Sequence, residues 1–349
     1  MSSTAGEDTH SLSESINNST RSVHAKLNRL VLSRLRLALP PIADDASQYV
    51  AGLLHITPIY MALESLWTGI LEPPEPGSSS DNDDNDDNDD DDKHKKTSSL
   101  LANLHVEGLQ RTQALQNDLR SLTGWSDRTL AEKLNHTSEC PVLGDFLSHI
   151  QRTAAMSPHV LIAYAWVLYM ALFSGGRFIR SSLENIYPAF WVPASAQLPR
   201  PATLAGSSDS EDNTLPPLSF FRFATSEDGE DLKRTFKERL RCVESVLSEK
   251  ENEEIVKEAE YIFDRMIRLV EELDGICGTD TEAAEARLLS LRSRDSVVVS
   301  KERLRNFAKT GGGGGGGGGA KNSDSKNKAP LATGGSNSSR SGNGRITFG

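Results

Sequence analysis

Apolar residues recur at three- and four-residue intervals over most of the first 275 positions, the period of α-helices that turn one face to a core. The series Ile16, Val23, Leu27, Leu30, Val31 and Leu35 predicts a first helix over Leu12 to Leu39, stopped by Pro40 and Pro41. A second spans Ala46 to Leu71, with a kink expected at Pro58 and a stop at Pro73, Pro74 and Pro76. The pattern predicts further helices over Leu100 to Leu122, Leu143 to Met156, Pro158 to Ile186, Asp228 to Ser248 and Glu253 to Leu273. In the last, Ile255, Ala259, Ile262, Met266, Leu269 and Leu273 step by 4, 3, 4, 3, 4. That stripe falls short of the 3–4 heptads of a coiled coil, so it reads as a core-facing helix. No segment alternates with the strand period, and the fold class is all-α, a multi-helical bundle.

Between these segments lie stretches with nothing apolar to bury. Residues 1–13 are Ser/Thr-rich and expected to be disordered. Residues 72–99 read as a linker, and a disordered acidic insertion is expected over 73–98, because Asp81 to Asp92 is an unbroken run of Asp and Asn. The run lacks the Gly and closing Glu of a calcium loop, so it reads as a solvated spacer. Residues 192–217 form a Pro/Ser-rich loop inside a domain placed at 14–275. A partly helical extension is expected over 276–310, then a disordered Gly/Ser/Asn/Lys-rich tail over 311–349. The nine glycines Gly311 to Gly319 have no strand before them and no Lys-Ser/Thr after them, so they are not a phosphate loop.

Composition narrows the function classes. The formal charge is -11, but the run carries nine of the aspartates, and the rest of the chain holds only about -2. No strong field is left to draw in nucleic acid or an anionic membrane. Cys140, Cys242 and Cys277 form no CxxC pair, which argues against a disulfide framework and a structural zinc site, and for a reducing compartment. They also lack the basic neighbours of a reactive thiol. The N-terminus has no apolar signal region, and the longest apolar run, Val160 to Phe173, is shorter than a membrane span of ~20 residues. No transmembrane segment and a cytoplasmic location are expected.

Serine-hydrolase, zincin, P-loop and dinucleotide signatures are absent, and the one Glu-x-x-His, at Glu7 to His10, lies in the polar start. Two features remain. His24, in Thr20-Arg21-Ser22-Val23-His24, sits beside the apolar face of the first helix, where a neutral imidazole could ligate a metal. Ser174-Gly175-Gly176-Arg177 follows an apolar helix, and apolar pattern continues at Phe178, Ile179, Leu183 and Ile186. Two adjacent glycines cost ~1 kcal/mol each inside a helix. They mark either a helix end or a kink where a flat ligand lies against bare backbone, and the pattern leaves both open.

The segment Leu161 to Gly176 resembles the distal helix of the haem oxygenases, which ends in Leu-Ser-Gly-Gly and lays its backbone over haem. Thr20 to His24 resembles that family's proximal Thr-x-x-Val-His motif and implies that His24 is the axial iron ligand. Ile59 to Glu64, Ala114 to Leu119, Phe220 to Phe223 and Glu254 to Leu273 are similar to further helical segments of the family. The resemblance covers about residues 14 to 275. It implies haem as substrate or ligand, contacted by Ser174, Gly175 and Gly176, with Lys233 and Lys237 on its propionates. These lysines sit at i and i+4, on one helix face. Where the family carries a lysine one turn before the axial motif, this chain has Asn17, and Arg21 is the substitute at hand. Where the family has Gly-Asp before Leu-Ser-Gly-Gly, this chain has Ala171 and Leu172, and Leu holds no proton-delivering water. His55 matches no family motif and reads as a packed helix histidine. The resemblance therefore implies haem cleavage to biliverdin, iron and carbon monoxide with electrons from an external reductase. The alternatives are a haem carrier or sensor without turnover, and a helical interaction module that binds no haem.

Overall fold

The computed structural model of the chain describes residues 11–72, 88–193 and 216–279. The polar start, most of the acidic run, the Pro/Ser-rich loop, the extension beyond Thr279 and the Gly-rich tail lie outside the described residues. The chain divides into a unit ending at Ala284 and a second from Glu285 to Gly349. All described structure belongs to the first.

Ten α-helices are found among the described residues, and no strand. They are α1 (Leu12–Leu37), α2 (Ser47–Leu71), α3 (Asn88–Leu104), α4 (Thr112–Thr123), α5 (Asp127–Ser138), α6 (Pro141–Met156), α7 (Leu161–Ala171), α8 (Arg177–Glu184), α9 (Glu230–Glu244) and α10 (Glu249–Ile276). The all-α expectation holds.

The helix ends follow local chemistry. At α1 the Ser11 hydroxyl accepts from Glu14 N–H while the Glu14 carboxylate accepts from Ser11 N–H, a capping box worth ~1 kcal/mol. The helix thus begins at Leu12, two residues before the expected domain start. Ser248 and Glu251 repeat the device at α10. The expected helix over Leu100 to Leu122 is two helices, parted where Gly108 takes a left-handed φ of 95°. The linker reading of 72–99 is corrected from Asn88 onward, where α3 begins. Leu100, Leu101 and Leu104 are buried and anchor the helix to the core. Thr97 is also buried, and Lys96 reaches Glu251 at 3.1 Å. α5 went unforeseen: Ser126 caps it, but only Leu130 and Leu134 mark its apolar face.

The longest seam joins α1 to α10. The two helices run in the same direction: Leu12 and Ser15 lie near Asn252 and Val256 at one end, His24 meets Phe263 midway, and Arg34 pairs with Asp274 (2.7 Å) at the other. α7 passes through the middle, with eight of its eleven residues buried. Its Tyr164 hydroxyl donates to Glu258 of α10 at 2.5 Å, and α2 packs on another side, where the Tyr60 hydroxyl donates to the Leu168 carbonyl at 2.8 Å. Each fully buried Leu or Ile of this core contributes ~1.5–3 kcal/mol.

Candidate functional site

The glycine pair does not end a helix. Beyond α7 the chain widens into a π-turn over Leu172–Gly176 and continues directly as α8, with right-handed backbone at Ala171, Gly176 and Arg177. Such turns insert one residue into a helix and recur at functional sites. The helix-end alternative is thereby removed.

The two glycines serve different neighbours. A Cβ on Gly176 would stand 3.3 Å from the Ala171 carbonyl oxygen and 3.5 Å from both Leu172 and Phe221, so Gly176 is closely packed. A Cβ on Gly175 would meet only Asn28 Oδ1, at 3.9 Å. Gly175 therefore turns bare backbone toward α1. Ala171 and Phe178 on the same side are exposed, and Ser174 is half-buried with its hydroxyl donating back to the Met170 carbonyl at 3.2 Å.

Facing this backbone, α1 carries Asn17, Arg21, His24 and Asn28 on one stripe, at helical spacings of four, three and four. His24 is half-buried and meets Phe263 of α10 edge-on, with ring centroids 5.3 Å apart. Burial lowers its pKa below the ordinary 6.5, which keeps the imidazole neutral at pH 7. A small apolar cluster of Leu27, Phe263 and Ile267, joined by Val23 and Val167, lies beside His24. Arg21 is exposed on that stripe and donates to Asn18 Oδ1 at 2.8 Å. Asn17 accepts from Trp166 Nε1 at 3.4 Å.

Two lysines of α9 lie over aromatic rings of α7 and the π-turn. Lys237 of α9 lies 5.8 Å over the Trp166 ring, and Lys233 lies 6.0 Å over the Phe173 ring. Lys233 also pairs with Glu230 at 3.5 Å. Burial, then Lys233 and Arg241, push the Lys237 ammonium below its ordinary value. An anion placed here would relieve that repulsion. Of the predicted residues, His24 and Arg21 on α1 face Gly175 with Ser174 beside it and the two lysines near Trp166 and Phe173, whereas Gly176 turns away from α1 and packs beside Leu172 and Phe221. A cavity of about 450 Å³ lies elsewhere, between Leu12 and Ser15 of α1 and the start of α10.

Sequence reasoning missed the buried polar set behind α7. Glu64 accepts from Arg111 N–H (2.6 Å), Thr112 N–H (3.1 Å) and the Tyr169 hydroxyl (3.4 Å). Burial, then Glu64, hold the Tyr60 and Tyr169 hydroxyls protonated. Asp118 accepts from Ser219 and Phe220 N–H at 2.8 Å each. These carboxylates fix the loops around α7, and no spacing in the sequence marks them. His55 is a packed helix residue as expected, 5% exposed, with Nδ1 bonded to the Ala51 carbonyl at 2.8 Å.

The sequence profile of the family described as "Heme oxygenase" matches residues 89–272, more than half the chain. The chain belongs to the haem oxygenase family. The match includes the glycine pair and both lysines of α9, while His24 lies before it. Heme-binding protein HMX1 of Saccharomyces cerevisiae is 25% identical over 275 residues, 76% of each chain. Among solved structures, haem oxygenase 2 of Chlamydomonas reinhardtii without heme superposes with a TM-score of 0.52 at 18% identity, over 75% of this chain and 97% of that one. Haem oxygenase-1 of the cyanobacterium Synechocystis sp. PCC 6803, in complex with heme, gives 0.51 at 16% identity, over 81% and 99%. These likenesses establish the haem oxygenase fold for this chain.

Proposed function

We propose that this chain binds haem between α1 and the Leu172–Gly176 turn, with the His24 imidazole on the iron, and that it cleaves the macrocycle slowly if at all. The observation that carries this is the bare Gly175 backbone facing the stripe that holds a neutral His24. The residues present suit the ligand. The gap offers a nitrogen lone pair, a glycine face that takes a flat ring, and Lys233 and Lys237 for carboxylates at one edge. Bound haem would supply the redox chemistry, and electrons would come from an external reductase, since no flavin or nicotinamide signature is present in the sequence.

Slow turnover follows from the distal residues. In the family, a carboxylate two positions before Ser-Gly-Gly holds the water that delivers protons. Here Leu172 occupies that position, is 4% exposed and packs toward Gly176 and Phe221. The Ser174 hydroxyl is already committed to backbone carbonyls. The chain's own groups at the π-turn therefore offer no free side-chain acid. The cytoplasm is the compartment proposed.

The test is a hemin titration followed by absorbance, on wild type and His24→Ala. The wild type is expected to bind near one equivalent, and the variant to lose the axial-ligand spectrum. An unchanged spectrum in His24→Ala would move the iron to another residue. Absence of any binding by the wild type would favour a helical interaction module on the same fold.

A further inference from the structure

We propose that His55, Cys140 and Glu272 form a binding site for one divalent transition metal of the zinc class, separate from the haem gap. Three elements bring them together: the middle of α2, the N-cap of α6 and the last turns of α10. One ligand atom from each lies within 4.8 Å of the other two. A tetrahedral ion with bonds of ~2.0–2.3 Å needs its ligand atoms about 3.5 Å apart, so modest side-chain rotation closes the set.

The imidazole supplies the independent observation. His55 is 5% exposed, and its Nδ1 bonds the Ala51 carbonyl at 2.8 Å. A carbonyl only accepts, so Nδ1 carries the proton and the neutral ring presents its lone pair at Nε2. That Nε2 is buried and has no hydrogen-bond partner, although a lone buried polar atom costs ~1–3 kcal/mol. A backbone carbonyl holding Nδ1–H while Nε2 faces other donors is the outer-shell arrangement of metal-bound histidines.

The other two groups suit the same occupant. Both oxygens of Glu272 accept from the first turn of α6, Val142 N–H at 2.8 Å and Leu143 N–H at 3.2 Å, which fixes the carboxylate and leaves each oxygen a second lone pair. The thiol of Cys140 stands at the N-cap of α6, beside the turn whose N–H groups hold Glu272. A divalent ion would displace its proton. One thiolate, one carboxylate and one neutral imidazole cancel its charge. Cys140 and Glu272 are half-exposed, so water reaches a fourth position. Mixed S, N and O donors in a four-coordinate set favour zinc and cobalt(II) over magnesium or calcium. The site is distinct from His24: Glu272 lies nine residues beyond Phe263 on α10, ~14 Å along the helix at 1.5 Å per residue. No local sequence motif announces it, because positions 55, 140 and 272 meet only in the fold.

The experiment titrates cobalt(II) into the chelator-treated, haem-free full chain carrying Cys242→Ser and Cys277→Ser, so that Cys140 is the only thiol. A near-ultraviolet thiolate-to-cobalt band is expected, saturating at one equivalent and displaced by zinc. Zinc should also raise the melting temperature. Cys140→Ser is expected to abolish the band without unfolding the chain, since serine is a favourable N-cap residue for α6. His55→Gln should weaken cobalt binding at least tenfold. A folded chain with no band at millimolar cobalt, or a band that survives Cys140→Ser, overturns the proposal.

Discussion

Replacing Gly175 separates the haem reading from a purely structural one, because its neighbour Gly176 provides the opposite control. Gly175 lies in a continuous helical stretch, where glycine costs ~1 kcal/mol relative to alanine. An added Cβ meets only Asn28 Oδ1 at 3.9 Å, an ordinary contact. Gly175→Ala should therefore raise the stability of the haem-free protein by up to ~1 kcal/mol, or ~2–4 °C in Tm for a domain of this size. At Gly176 a Cβ would crowd a carbonyl oxygen at 3.3 Å and two side chains at 3.5 Å. Overpacking outweighs the helix gain there, and Gly176→Ala should lose ~1 kcal/mol. Haem affinity should follow the reverse order. Gly175→Leu fills the space between the π-turn and α1, and its hemin affinity should fall at least tenfold, ~1.4 kcal/mol. Gly176→Ala changes the opposite face and should bind hemin nearly as wild type. Thermal melts and hemin titrations on the variants read both quantities. A Gly175→Leu protein that is fully folded and binds hemin like wild type would refute the reasoning.

Three further outcomes are expected. Gly229 holds a φ of 82°, and a Cβ there would approach the Phe223 ring to 2.6 Å and the Phe173 ring to 2.8 Å, so Gly229→Ala should cost at least ~2 kcal/mol in a urea melt; a loss below ~0.5 kcal/mol would sink this account. Burial holds His24 and His105 below the ordinary 6.5, so below that pH the unfolded chain binds more protons and stability falls with acidification. His24→Gln should flatten the dependence of Tm on pH in that window, and an unaltered slope would contradict the buried, neutral imidazole. Leu172→Asp buries a carboxyl at a 4% exposed position and should cost ~1–3 kcal/mol while raising biliverdin yield per haem with a reductase; fast biliverdin formation by the wild type would show that another group moves the protons.

The helices most legible in the sequence are those with long apolar stripes. α1, α2, α6, α9 and α10 begin and end within a few residues of the reading, because their apolar stripes are unbroken and prolines or Ser-Glu caps punctuate them. α5 shows no period because two leucines are too few, and the start of α3 is illegible because the apolar pattern that marks this helix begins only at Leu100. The candidate haem residues were legible through local motifs: Thr20 to His24, the glycine pair, and two lysines one turn apart. Glu64, Arg111 and Asp118 were not, since each is a charged residue with at least one backbone partner far along the chain. His55, Cys140 and Glu272 escaped for the same reason, since their separation in sequence exceeds any motif.

The placement of chemistry around α7 follows from how thoroughly that helix is buried. α2, α10 and the segment before α7 all pack on it, so nearly every side chain it carries must be apolar or fully hydrogen-bonded. Of its 11 residues, Tyr164, Trp166 and Tyr169 alone bring polar atoms, and each is engaged, by Glu258, Asn17 and Glu64. Such a helix can offer a ligand little except backbone. It does so where packing relents, at the π-turn, through a glycine without a side chain. Groups with lone pairs or charge stand on less buried elements, His24 on α1 and Lys233 and Lys237 on α9, and the proposed haem site draws on these. Leu172 fits this division: its buried side chain lies beside Gly176, on the side of the turn away from α1. In the proposed reading, haem would use the Gly175 face of this turn, and Leu172 on its packed face would leave the site without a proton-delivering acid.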